Sequence, residues 1–216
     1  MSLVSAVREP TVPSDHPPLL VLLHGIGADE LDLLPVADAL DPRLLAVSLR
    51  APHDAEPMGY AWYALDWSVV PPAPDLEQAG RSLEELAAAL PELERRSGAE
   101  PSRTFLFGFS QGATMALGLA LTRPELVRGV ILHSGRVLQG LERRAAPAER
   151  LAGLEALVLH GVHDDVLPVE RGRETRDLLA RLLGPRLEYR EHDAGHFVTR
   201  ESIGDVARWL GARIAA

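Results

Sequence analysis

The chain has 216 residues, 46% of them hydrophobic, enough to bury a substantial core and few enough for one domain, 1–216. A formal charge of −9 with no basic cluster argues against a nucleic-acid partner, and no apolar run approaches the roughly 20 residues that span a bilayer. Cysteine, lysine and asparagine are absent, which excludes disulfides, thiolate-zinc sites, cysteine nucleophiles and Schiff-base lysines. The opening MSLVSAVREP lacks a signal-peptide pattern, so the expectation is a cytoplasmic protein.

In chain order, residues 1–17 carry several prolines and read as an extended lead-in. The run LLVLL (19–23) has strand length and is apolar at every position, as a strand covered on both faces must be. The runs LLAVSL (44–49), TFLFGF (104–109), VRGVILHS (127–134) and LEALVLHG (154–161) are apolar at nearly every position and read the same way. By contrast RLEYREHD (186–193) alternates apolar and charged residues, which predicts a place nearer a sheet edge. Between these runs lie helical stripes. Leu83, Leu86, Leu90 and Leu93 share one face, with Pro91 expected to kink or restart the helix. Leu178, Leu179, Leu182 and Leu183 precede a stop at Gly184-Pro185, and Ile203, Val206, Leu210 and Ile214 close the chain. Strands alternating with helices predict an α/β fold: a mostly parallel central sheet flanked by helices on both faces, with no room for a large lid domain.

The strand TFLFGF runs directly into SQGATMALGLAL. A nucleophile on a sharp strand-to-helix turn needs small neighbours two positions either side, and Ser110 has Gly108 and Gly112 there. Chance gives this pattern about 0.07 times in a chain of such composition, so the strand before it and the small-residue helix after it carry much of the weight. The plainer alternative is a serine that merely caps a helix. A serine nucleophile requires a base and an orienting carboxylate, in the chain order serine, acid, histidine, each just beyond a strand. His196 lies in the loop after the last strand, whereas His192 lies within the strand's end, which makes His196 the candidate base. After the preceding strand stand Asp164 and Asp165, with Asp193 a weaker candidate acid. The cluster His160, His163, Asp164 and Asp165 could suggest a metal, but helical zinc sites set their i, i+4 ligands on one helix face, whereas this loop turns at Gly161. Neither a metal nor a cofactor is expected. Two backbone N–H groups should face the developing oxyanion: that of Gln111, after the nucleophile, and one from the Gly25-Ile26-Gly27 loop after the first strand.

Together HGIGADELDLLPVADAL, RAPHDAEPMGYAWYALDW, GFSQGA, HGVHDDVLP and AGHF resemble the successive motifs of the phospholipase/carboxylesterase family of α/β-hydrolases, which includes bacterial carboxylesterases and acyl-protein thioesterases. They span residues 19 to 197 in the family's order. The resemblance implies Ser110 as nucleophile, Asp164 as acid, His196 as base, and Ile26 and Gln111 as oxyanion donors. The chain departs from the pattern at Glu30-Leu31, where relatives often carry glycine and a small polar residue, and at the alanine of DAGH.

The segment APHDAEPMGYAWYALDW gathers Met58, Tyr60, Trp62, Tyr63 and Trp67 in a chain only 5% aromatic, which makes these side chains candidates for substrate binding, although such rings also serve to cover a core. The reading is a serine carboxylesterase acting on small-molecule esters of small to medium acyl chains. An acyl-thioesterase or lysophospholipase with the same triad is the alternative, and a non-catalytic binding module is the different class. The sequence leaves room for a homodimer.

Overall fold

The computed structural model describes residues 3–215. A seven-stranded sheet forms the centre. In chain order the strands are β1 (Ser5–Arg8), β2 (Leu19–Leu23) and β3 (Leu45–Leu49), then β4 (His53–Asp54) with β5 (Tyr60–Ala61) and β6 (Leu65–Asp66) with β7 (Ala73–Pro74), which form two separate short ladders, then β8 (Thr104–Phe109), β9 (Gly129–His133), β10 (Glu155–Gly161) and β11 (Leu187–His192). The central sheet has the order β1-β3-β2-β8-β9-β10-β11, and every pairing in it is parallel except β1 with β3.

Residues alternate faces along each strand, and here both faces are apolar. Val21, Leu23, Leu106, Leu132 and Val158 pack on one side, beneath α2 (Leu76–Ser97), α3 (Gln111–Thr122) and α5 (Glu170–Leu183). Leu20, Leu22, Phe105, Phe107, Ile131 and Leu157 pack on the other, beneath α1 (Leu34–Asp38) and α6 (Arg200–Ile214). A short α4 (Leu141–Arg144) lies between β9 and β10. This is the α/β-hydrolase fold, with helices on both faces. β11 takes the edge that its alternation predicts. Among the described residues no helix is long and apolar enough to cross a membrane.

One expectation gains detail and another needs correction. The extended lead-in includes a strand that the sequence reading did not single out: Ser5 to Arg8 add an antiparallel strand on the outside of β3, in register from Ser5 opposite Leu49 to Arg8 opposite Ala46. The Arg8 guanidinium fixes that strand by donating to the carbonyls of Leu44 and Ala37 at 2.9 and 2.5 Å. Pro91 does not restart its helix, because α2 runs without interruption from Asp75, whose side chain caps it, to Gly98 at φ +67°. Pro91 sits on the exposed side, while Leu83, Leu86 and Leu90 remain buried and hold both halves to the sheet.

The chain leaves β2 toward β3 on one side and returns to β8 on the other. Open parallel sheets bind ligands in the crevice above the carboxyl ends of strands at such a switch point. Here that crevice lies between the loops after β2 and β8.

Candidate active site

The β8 strand ends in Ser110, which stands at φ +53°, ψ −114° before α3 begins. The turn closes tightly: a Cβ at Gly108 would collide with the backbone of Ala113, and one at Gly112 with the carbonyls of Leu23 and His24. Ser110 continues the sheet ladder by donating its N–H to His133 O at 2.9 Å. The side chain is thereby pushed up at the amino end of α3, where the helix dipole favours negative charge.

The β10 and β11 strands deliver the other two groups. Their ladder extends past the last sheet residues, Val162 N–H donating to His192 O at 2.8 Å and His163 N–H to Ala194 O at 2.9 Å. Gly161 permits this approach, since a side chain there would strike the Ala194 and Gly195 carbonyls. The loops so zipped place His196 Nδ1 2.7 Å from Asp164 Oδ2, and His196 Nε2 2.9 Å from Ser110 Oγ. The carboxylate accepts a hydrogen bond from Nδ1–H, and that tautomer leaves Nε2 to accept from the serine hydroxyl. Asp164 is held from its other side: Oδ1 accepts the N–H groups of Val166 at 3.0 Å and Leu167 at 2.7 Å. Phe109 backs the imidazole, with ring centroids 5.0 Å apart.

The remaining candidates of the HGVHDDVLP segment diverge. Asp165 is exposed, and His163 turns outward to pair with Asp193 at 2.8 Å on the surface. His160 is buried under Asp164, donating Nε2–H to Leu167 O at 2.8 Å with Asp164 Oδ2 3.4 Å away. It is an underpinning that the sequence shows only as part of the turn. His192 is buried at the end of β11, 3.3 Å from Asp205.

The Gly25-Ile26-Gly27 loop lies against Ser110. A Cβ on Gly25 would sit 3.3 Å from Ser110 Cβ, and Gly27 adopts φ +83°. Among the described residues neither Ile26 N–H nor Gln111 N–H donates to another protein group. The loop is pinned from outside: Gly27 N–H donates to Tyr60 O at 2.9 Å, and Tyr60 N–H returns to Ala28 O at 2.8 Å. Beyond it Arg50 grips Glu30 with two bonds of 2.6 and 2.7 Å and reaches Tyr60 Oη at 3.0 Å. The guanidinium holds the Glu30 carboxyl below the usual carboxylate range. Glu30, noted from sequence only as a departure, thus works as an anchor, and its partner Arg50 carried no local signal. Buried His24 is a second strut: Nδ1 donates to Gly25 O at 2.7 Å, Nε2 accepts Ala51 N–H at 3.0 Å, and burial pushes the imidazole below its ordinary pKa.

The aromatic candidates separate. Trp62, 0% exposed, and Tyr63 belong to the core, which corrects their expected place in a substrate pocket. Trp62 Nε1–H donates to His24 O at 2.9 Å. The Gln111 carboxamide clamps this segment to α3, accepting Trp62 N–H and donating to Tyr63 O, both at 2.7 Å. Met58, 72% exposed, and half-buried Tyr60 line a cleft of about 550 Å³ with Gly27, Ala28 and Asp32. Trp67 stands 70% exposed, away from the walls of that cleft. A second pocket of about 220 Å³ has His196 in its wall, along with Leu33, Val36, Phe109, Phe197 and Val198. Asp32 separates the two.

The arrangement can activate an alcohol, shuttle one proton and face two N–H groups toward a carbonyl oxygen. Comparison with known proteins agrees with that chemistry. A family model for phospholipase/carboxylesterase proteins matches residues 4–214. Esterase YpfH of Escherichia coli (strain K12) is 27% identical over 208 residues, which cover 91% of this chain and 82% of that protein. Acyl-protein thioesterase 1 of Gibberella zeae is 29% identical over 117 residues, 53% of this chain and 49% of that protein. The crystal structure of esterase PE8 superposes with a TM-score of 0.82 at 28% identity, covering 98% of this chain and 99% of the other.

Proposed function

We propose a catalytic assignment for a chain that belongs to the phospholipase/carboxylesterase family: Ser110 is the nucleophile, His196 the proton shuttle, Asp164 its orienting acid, and the Ile26 and Gln111 N–H groups the oxyanion hole. The chain is a carboxylic ester hydrolase on the α/β-hydrolase fold. The single observation that supports the residue roles best is the run of bonds Ser110–His196–Asp164, at 2.9 and 2.7 Å, with the elbow and both loops shaped to keep it.

In this reading Ser110 Oγ attacks the ester carbonyl as its proton passes to His196 Nε2. The carbonyl oxygen gains charge and is met by the two backbone donors, whose dipoles are fixed beforehand by the Tyr60 ladder and the Gln111 clamp. Asp164 stabilises the imidazolium that forms. His196 then returns the proton to the leaving alkoxide, the C–O bond breaks, and an acyl-serine remains. Water, deprotonated by His196, attacks that acyl group and releases the acid, restoring the hydroxyl.

The substrates are small esters of small to medium acyl chains, which the pocket walled by His196 and the neighbouring cleft across Asp32 can receive. The acidic, cysteine-free composition supports action in the cytoplasm. A thioester substrate is the second reading, favoured by the similarity to acyl-protein thioesterase 1. Matched oxygen and sulfur esters across acyl lengths separate the two. For the triad itself, a fluorophosphonate should label Ser110 covalently, and Ser110→Ala should remove both labelling and turnover, the latter by about 10⁶-fold. Esterase turnover persisting in Ser110→Ala ends the assignment.

A further inference from the structure

The chemistry of proton return determines which cleft receives which end of an ester. In the tetrahedral intermediate one carbon bears four groups: Ser110 Oγ, the oxyanion, the acyl chain and the leaving oxygen. His196 Nε2, 2.9 Å from Oγ, must also reach the leaving oxygen within hydrogen-bond distance for the C–O bond to break with protonation. The substituent on that oxygen is therefore the part of the substrate nearest the imidazole. Of the two clefts that flank Asp32, the broad one beside Tyr60 has no triad residue in its wall. The 220 Å³ pocket has His196 itself, with the Phe109 ring tilted against the imidazole at 5.0 Å between centroids.

We propose that the pocket walled by Leu33, Val36, Phe109, Phe197 and Val198 is the leaving-group subsite, and that it selects esters of neutral, apolar alcohols; this deepens the serine-hydrolase reading above and rests on it. Five of its walls are hydrocarbon, and at about 30 Å³ for each water-sized group it holds roughly seven such groups, as many as the carbons of a benzyl group. Its one acidic wall is Asp32, which forms no ion pair among the described residues, and neither arginine nor lysine lines the pocket. A carboxylate or phosphate on the alcohol would face that aspartate uncompensated. An aliphatic or aromatic alcohol instead loses water against Val36, Phe197 and Val198.

The test compares two ester series on the purified protein. One keeps acetate as the acid and lengthens the alcohol from methyl to hexyl and benzyl; the other keeps p-nitrophenol and lengthens the acid from two to eight carbons. For the wild type, kcat/KM should climb along the alcohol series by up to about fourfold per buried methylene, then level once the pocket fills. Phe197 is 56% exposed, so Phe197→Ala leaves the core intact. It should flatten the alcohol series by about threefold to tenfold at butyl relative to methyl, with the shape of the acyl series unchanged. Val36→Phe, which fills the pocket, should lower the plateau to shorter alcohols. Asp32→Asn should raise turnover of O-acetylglycolate, whose alcohol is anionic, relative to ethyl acetate. A Phe197→Ala effect confined to the acyl series, or no effect on either series in an enzyme that still labels at Ser110, overturns the subsite. Failure of the wild type to label and to hydrolyse any ester overturns the hydrolase reading and the subsite with it.

Discussion

Asp164 is buried with both carboxylate oxygens in use, and the two oxygens do different work. The substitution Asp164→Asn separates them. The carboxamide oxygen of the variant can still accept the N–H groups of Val166 and Leu167, so the amide nitrogen must face His196 Nδ1. A donor there forces the imidazole to carry its proton on Nε2, where it can no longer accept from Ser110 Oγ, 2.9 Å away. The expected loss in kcat is about 10⁴-fold, equivalent to about 5 kcal/mol of barrier, with KM little changed and the melting temperature nearly that of the wild type. Asp164→Ala should lose comparable activity and stability as well, because two buried N–H groups are left without an acceptor at about 1–3 kcal/mol each. Asp165→Asn alters an exposed side chain and should stay within about twofold. Steady-state kinetics on a chromogenic ester, with thermal melts of all three variants, decide the matter. Equal losses in Asp164→Asn and Asp165→Asn, or more than a tenth of wild-type kcat surviving in Asp164→Asn, refute the reasoning.

Gly112→Ala places a methyl group into the carbonyls of Leu23 and His24, so the elbow cannot form as it stands; a loss of more than about 4 kcal/mol in chemical denaturation is expected, and a wild-type midpoint contradicts it. Arg50→Lys keeps the charge but loses the paired grip on Glu30 and with it the brace on the loop proposed to carry the oxyanion donor. It should lower kcat by tenfold to about 100-fold with KM nearly constant, whereas a change in KM alone would mean that the brace shapes binding instead. Burial, reinforced by the neighbouring His192, His160 and His196, pushes the His133 imidazole down to about 3 from the ordinary 6.5. The unfolded chain therefore binds a proton that the folded one refuses. Stability from this residue is complete above pH 6.5 and falls as pH drops toward 3, by about 1.4 kcal/mol per unit. Urea midpoints measured from pH 7 to pH 4 should slope less steeply in His133→Gln, and parallel slopes would count against the assignment.

The sheet and the elbow were legible because their causes are local. A strand buried on both faces must be almost wholly apolar, as LLVLL and TFLFGF are, and a tight strand-to-helix elbow must have Gly108 and Gly112 where the backbone crowds. What escaped depends on partners distant in sequence. Ser5 to Arg8 read only as part of an extended lead-in because an edge strand with one exposed face needs no apolar run, and only the β3 edge makes them a strand. Pro91 looked like a break because the chain does not announce that it will face solvent while Leu86 and Leu90 are held. Trp62 and Tyr63 could not be sorted from Met58 by composition, since the carboxamide that draws them inward is that of Gln111, some 49 positions away from Trp62. The choice between Asp164 and Asp165 stayed open on residues alone and came from the family pattern; in the structure Asp164 is the one turned toward His196.

Ser110 holds a backbone shape that L-residues avoid, at a cost of about 1–3 kcal/mol, and the surrounding elbow compels it to. A glycine at that position would keep the turn, keep the bond to His133 and shed the strain. Losing the chemistry thus relaxes the elbow, opposed in folding only by the larger conformational freedom that a glycine gives up, about 0.5–1 kcal/mol. On the proposed assignment, selection for turnover is what keeps the serine. Chains on this scaffold that no longer need it are free to drift into silent, well-folded descendants, whose stability would give no hint of what their ancestors did.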